Sequence, residues 1–212
     1  MTRKPFCIVT QKGDAIKYDT LKDFVVKEDE KTKGLEPNQS AGGQVIPALY
    51  NPLALAQLLE QNVYHNRCVM TKARDVAGLG WALKPLVDNP SEQQRQELDD
   101  FFSSTKPTLT LMLDNVMKDV EAVGYGCIEI VRDGDAPDGK PALMAHIPSH
   151  TVRIHKSRNK YRQERGGKKR WFKAVGYDMD VDFDTGDEKP LGGIAPEKRA
   201  SELIWIVNYT PR

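Results

Sequence analysis

The sequence has 212 residues, enough for one sizeable core with at most a smaller lobe. Charged residues make up 29% and the formal net charge is +1, so the whole chain exerts no pull toward nucleic acid or membrane and any electrostatic specialisation is local. No apolar run approaches the roughly 20 residues of a membrane-spanning helix and no signal-peptide core follows the basic start, so the chain is expected to be soluble and not secreted.

Residues 5–11 (PFCIVTQ) read as a first strand. From 12 to 45 the chain turns polar, with alternating charge and two adjacent glycines. That composition buries too little surface to offset ordering and predicts a mobile arm, so 1–45 is set apart from a main domain over 46–212. Cys7, Cys68 and Cys127 are widely spaced and odd in number. They suggest neither a disulfide framework nor a zinc knuckle, and three buried free thiols in a reducing compartment are expected.

Asn51-Pro52 is a helix start, with Asn as the N-cap and Pro in the first turn. Leu55, Leu59, Val63, Met70, Ala73 and Ala77 keep the helical period, with Glu60, Arg67 and Arg74 on the outer face, so one long helix ending at Gly78 is predicted. WALKP (81–85) reads as a short strand. A second helix begins at Ser91, capped with Gln94, and uses Leu98, Phe101 and Phe102 for its contacts. A third follows Pro107, with Leu109, Met112, Leu113, Val116, Val120 and Val123 at clean spacing and Asp114–Lys118 as an i,i+4 pair. It ends at Gly124. The period then changes to that of strands: YGCIEIVRD, ALMAHIP, TVRIHK, KRWFKAVGYD and ELIWIVNY are candidates. Helices first and four or five strands afterwards predict an α+β fold.

The glycine pairs Gly78/Gly80 and Gly124/Gly126 lie between helix and strand. A phosphate loop needs the opposite order, so these are read as structural turns. His65, His146, His150 and His155 show no metal-ligand spacing, because Pro148 breaks the one four-residue interval. DMDVDFDTGDE (178–188) lacks the Gly and the final Glu of a calcium loop and reads as a strand with one acidic face, with a loose divalent site as a weaker alternative. Residues 153–173 hold ten Lys or Arg and one acid, with Gly166-Gly167 as a hairpin tip. Arg158, Lys160, Arg162, Lys168, Lys169 and Arg170 are the candidate contacts to DNA or to a neighbouring subunit. From the residues alone a solvated hairpin, or one paired with the acidic stretch after it, is the favoured reading. No catalytic signature, cofactor motif or metal motif is present, so no enzymatic activity and no cofactor are expected.

Several ordered segments resemble the portal proteins of tailed bacteriophages. Residues 51–85 are similar to the first wing segment, a helix with Asn residues leading to an Ala-Gly-x-Gly turn. GYGCIEIVRD (124–133) and ALMAHIPSHTVRIHK (142–156) resemble later wing strands, and PEKRASELIWIVNYTPR (196–212) resembles the segment that leads into the stem. The resemblance implies a structural, non-enzymatic ring at one capsid vertex, a dodecamer when full length, through which double-stranded DNA is packaged and ejected. It implies terminase, the major capsid protein and head–tail connector proteins as partners, DNA contact without sequence specificity and no membrane. Its location would be the virion, and the host cytoplasm during assembly. The stem, clip and crown of that family follow the point corresponding to residue 212, so this chain is expected to be the N-terminal wing portion. The alternative is a sequence-independent nucleic-acid-binding module using 153–173.

Overall fold

The computed structural model describes residues 7–9, 15–17, 44–46, 48, 50–86, 91–105, 107–133 and 139–207. The expected first strand is present as β1 (Cys7–Val9), and it pairs antiparallel with β2 (Ala15–Lys17), which falls in the segment predicted to be an arm. Most of that arm lies outside the described residues. Near its end, Val45 is buried and residues 44–46 run along the sheet edge: the Ile46 N–H donates to Ile154 O at 2.8 Å and the Lys156 N–H to Gln44 O at 2.9 Å. The expected boundary between 45 and 46 falls inside this pairing.

The single long helix is in fact two, α1 (Pro52–Gln61) and α2 (Val63–Ala77). Asn51 caps α1 as expected, its side chain accepting from Leu53 N and Ala54 N. Asn62 is extended, with φ −119° and ψ 106°, and its side chain accepts from His65 N, so it starts a new helix. The break resets the apolar phase. Val63 is left 50% exposed, and Val69 joins Ala73 and Ala77 in the buried stripe. Cys68 lies on the outer side of α2 and is exposed, against the expectation of three buried thiols; Cys127 is buried, and the Cys7 side chain lies outside the described residues.

At the end of α2 the Gly78 N–H donates to Arg74 O, and Gly80 takes the left-handed conformation at φ 78°. The chain then reverses, but residues 81–85 join no sheet, contrary to expectation. Trp81 packs against Phe102 instead, with ring centroids 5.4 Å apart. Phe102 belongs to α3 (Glu92–Ser104), capped by Ser91 as predicted. Leu98 remains 48% exposed, because α3 stands off the sheet over an apolar groove of about 590 Å³. Helix α4 (Leu109–Val123) follows its predicted spacing closely: Met112, Val116, Val120 and Val123 are all buried, and Asp114 pairs with Lys118 at 2.5 Å.

Among the described residues eight strands follow, more than the four or five predicted: β3 (Tyr125–Arg132), β4 (Pro141–Ile147), β5 (Val152–Ile154), β6 (Lys160–Arg165), β7 (Lys168–Ala174), β8 (Met179–Val181), β9 (Glu188–Pro190) and β10 (Glu202–Val207). Six form one sheet in the order β4-β3-β10-β7-β6-β5, and β8 pairs with β9. Every neighbour in the sheet is antiparallel except β10 and β7. The fold is α+β, with helices preceding a mostly antiparallel sheet. Gly124 turns α4 into β3 at φ 90°. Gly126 lets the helix approach the sheet closely, since a Cβ there would sit 2.7 Å from Val116 Cγ1. On one side Met112, Val116 and Val120 cover Ile128; elsewhere Val69 and Val123 join Tyr125, Cys127, Phe172 and Leu203 in the larger core.

Candidate functional site

The basic segment forms the predicted hairpin. Gly166 and Gly167 both have positive φ, 57° and 76°, so they make the tight two-residue turn that joins Arg165 to Lys168. Alternation along the strands then decides which cations reach solvent. Lys160 is 9% exposed and Arg162 only 1%. Lys160 donates to Gly186 O at 2.7 Å and pairs with Glu188 at 2.9 Å, while the Arg162 guanidinium lies 5.9 Å from the centre of the Trp171 ring. Arg170 pairs with buried Glu129 at 2.5 Å and lies over the Phe172 ring at 4.8 Å.

Lys168, Lys169 and Arg158 are exposed. The first two sit at the tip and Arg158 sits in the β5–β6 turn at φ 61°. These places are at opposite ends of β6, roughly 20 Å apart at the usual rise per residue. The six candidate cations therefore do not form one surface: two are interior, one is held in an ion pair, and three are divided between two ends. Pairing with the acidic stretch, one of the readings of the sequence, occurs at Lys160–Glu188 and, more loosely, at Lys173–Asp180 (4.0 Å).

The acidic stretch is not the single acidic-faced strand expected. Asp180 lies inside, at 0% exposure, with Arg199 Nε 3.2 Å from its Oδ2. Asp182 begins a turn, accepting from Asp184 N and Thr185 N, and these backbone donors, that of Thr185 foremost, hold its carboxyl below the usual range. Lys160 and then Tyr177 do the same for Glu188 through side-chain hydrogen bonds. Among the described residues no group of three or more His, Cys, Asp or Glu side chains is placed to hold a metal ion.

One cluster has the residue types of a nucleophilic site. Asp119 Oδ2 lies 2.8 Å from His146 Nε2 and accepts from Ser149 N, and Cys127 is nearby on β3. Burial pushes the Cys127 thiol up to about 12, and its exposure is 0%. Burial thus favours the protonated thiol, and the contacts of Asp119 with His146 and Ser149 tie α4 to β4 and the turn after it. His150, His65 and His155 are held below the ordinary imidazole range, in each case chiefly by burial. The sign follows: these groups favour the neutral form in the fold, so their contribution is complete above the unfolded value near 6.5 and is lost as pH falls below it. Urea midpoints should drop between about pH 7.5 and about pH 5.5, and His150→Asn should reduce the drop. An equal drop in that variant would remove His150 from the account.

Sequence reading missed a second set of charges. Arg132, Glu202, Lys173, Asp180 and Arg199 form a continuous ionic network at one end of β3, β7 and β10. A Glu or Lys at an inward position of an apolar strand, as in ELIWIV and WFKA, was the available signal.

No protein-family model matches the chain. The chain is similar to an uncharacterized protein, YqbA, of Bacillus subtilis (strain 168), at 24% identity over 222 aligned positions. The match takes in 84% of this chain and 40% of that protein, so the chain spans less than half the length of its relative. Among the described residues no helix is long and apolar enough to cross a membrane.

Proposed function

We propose that the chain is the wing portion of a portal protein of a double-stranded DNA bacteriophage. Its role is structural: it contributes to a ring at the capsid vertex through which DNA passes, with terminase, the major capsid protein and connector proteins as partners. The reading is supported by one observation above all. The described parts of the four resembling segments supply α1 and α2, β3, β4 with β5, and β10, and these pack as one unit in which β10 hydrogen-bonds to β3. The test is electron microscopy and mass measurement of the protein produced from the whole open reading frame that contains this sequence. Closed rings support the proposal. A monomer that stays single, alone and with co-expressed capsid protein, overturns it.

The exposed lysines at the hairpin tip favour a second reading, a sequence-independent nucleic-acid-binding module. The variant that separates the two changes Lys168 and Lys169 to Ala and leaves Arg170 alone, since Arg170 holds Glu129. A binding module should lose most of its affinity for duplex DNA, with a salt slope shallower by about 2. A wing domain should scarcely change. Fluorescence anisotropy over a salt series reads both quantities.

A further inference from the structure

Three ionisable side chains meet away from solvent where β8 packs on the main sheet. Lys173 on β7, Asp180 on β8 and Glu202 on β10 are 4%, 0% and 4% exposed. The register of the parallel pair sets Lys173 beside Glu202. The Lys173 ammonium stands 3.7 Å from Glu202 Oε1 and 4.0 Å from Asp180 Oδ1, both beyond hydrogen-bonding distance. Among the described residues Asp180 Oδ1 is buried with no hydrogen-bond partner. Oδ2 of the same carboxyl is the opposite case, accepting from Gly192 N at 2.8 Å and from Arg199 Nε at 3.2 Å. Glu202 is fixed in turn, its Oε2 accepting from Arg132 at 2.8 Å. A buried ion pair ordinarily closes its hydrogen bonds, because open donors and acceptors are costly away from water. Here an amine nitrogen and a carboxyl oxygen face each other and the bond between them is not made.

We propose that Lys173 and Asp180 become joined by an amide bond from Lys173 Nζ to Asp180 Cγ. Two protons move, both by way of Glu202 Oε1. The first passes from the ammonium to Asp180 Oδ1 and leaves a neutral amine and a neutral acid. The amine nitrogen then gives its electron pair to Cγ, for which it must come within about 3–3.5 Å, a short approach for a lysine chain. Charge gathers on Oδ2, where the Gly192 N–H and the Arg199 Nε–H already point, as donors do that stabilise a tetrahedral oxyanion. The second proton passes from the new C–N nitrogen to Oδ1, the Cγ–Oδ1 bond breaks, and Oδ1 departs as water. Ammonium and carboxylate are exchanged for one amide and one water, Glu202 ends as it began, and no oxidant or cofactor is consumed. In bulk water such a condensation does not proceed, but fixed neighbours out of water gain an effective molarity of about 10⁵–10⁸ M. The released water has a way out, since Lys173 and Glu202 line a partly enclosed cavity of about 160 Å³. Asp180, with two donors on one oxygen and none on the other, is the carboxyl prepared for attack.

The test is the intact mass of the protein produced from the whole open reading frame that contains this sequence. The expected mass lies below that of the amino-acid sequence by one water, and digestion should release a branched peptide that joins Lys173 to Asp180. Lys173→Arg keeps the charge but forms no such amide and should show the full mass. Glu202→Gln should slow the loss of water by about a hundred- to ten-thousandfold, the usual contribution of a positioned acid–base group, read as mass against time after dilution from denaturant. Full mass in the unaltered protein after prolonged storage, with Lys173 and Asp180 recovered in separate peptides, overturns the proposal whether or not the variants fold. A deficit of one water traced to a succinimide at Asp133-Gly134 or Asp138-Gly139 overturns it as well, and so does a branch from Lys173 to Glu202. An unchanged rate in Glu202→Gln overturns the role of Glu202.

Discussion

Replacing Asp180 by Ala should destabilise the fold by about 3–5 kcal/mol, the usual cost of removing one partner of a buried ion pair. Asp180 is fully buried on β8. Its Oδ2 accepts from Gly192 N at 2.8 Å and from Arg199 Nε at 3.2 Å, and it is one of two carboxylates facing Lys173. Without it, Lys173 and Arg199 lose a carboxylate neighbour and the Gly192 N–H loses its acceptor. The β8–β9 pair is tied to the main sheet by this residue, by Val181 against Trp171 and by Lys160 with Glu188. Urea unfolding at constant slope measures the loss. A double variant, Asp180→Asn with Lys173→Met, restores the original charge balance and should recover part of it. A single-variant loss under about 1 kcal/mol would mean that the network is hydrated and contributes little.

Phe172→Ala should cost a similar amount, about 3–5 kcal/mol, by a different mechanism. The ring has 0% exposure and lies in the larger core beside Leu203 and Cys127. Its removal leaves a cavity in the middle of the sheet, where strand neighbours cannot move inward. It also takes away the surface over which Arg170 is held toward Glu129. Leu98→Ala, at the open groove between α3 and the sheet, should by comparison change stability by less than about 0.5 kcal/mol. Comparable losses at both positions would mean that the apolar groove beneath α3 is filled and that the core assignment is wrong.

Local signals explain what the sequence revealed. Ser91 and Asn51 announce their helices because a short acceptor beside free N–H groups has few other uses, and the 3–4 spacing of α4 is unbroken. Asn62 carries the same capping chemistry, yet it sits inside an apolar period that continues approximately through it, so the break is hidden. The basic hairpin shows the opposite limit. Its turn was legible from Gly166-Gly167, but charge alone does not say that Lys160 and Arg162 point inward. That depends on Trp171, Gly186 and Glu188, which are distant in sequence from one or both of them. The ties across the sheet are likewise hidden, such as Arg170 with Glu129, 41 positions apart, and Arg132 with Glu202, 70 apart. The proposed likeness of 46–212 to portal wings rests on ordered motifs, none of which carries the network charges as a group.

The position of β10 also has a consequence for synthesis. Residues 202–207 insert between β3 and β7, hydrogen-bonding to one in antiparallel and to the other in parallel fashion. On a ribosome those six residues emerge after every other strand described. Until then β3 and β7 each present an open edge, and Leu203 is missing from the core that Phe172 and Cys127 share. The nascent chain can therefore form its helices and hairpins in order, but the main sheet closes only when its late-made middle strand arrives. During that interval the two open edges are available for pairing with other chains, and chaperone dependence should be concentrated there.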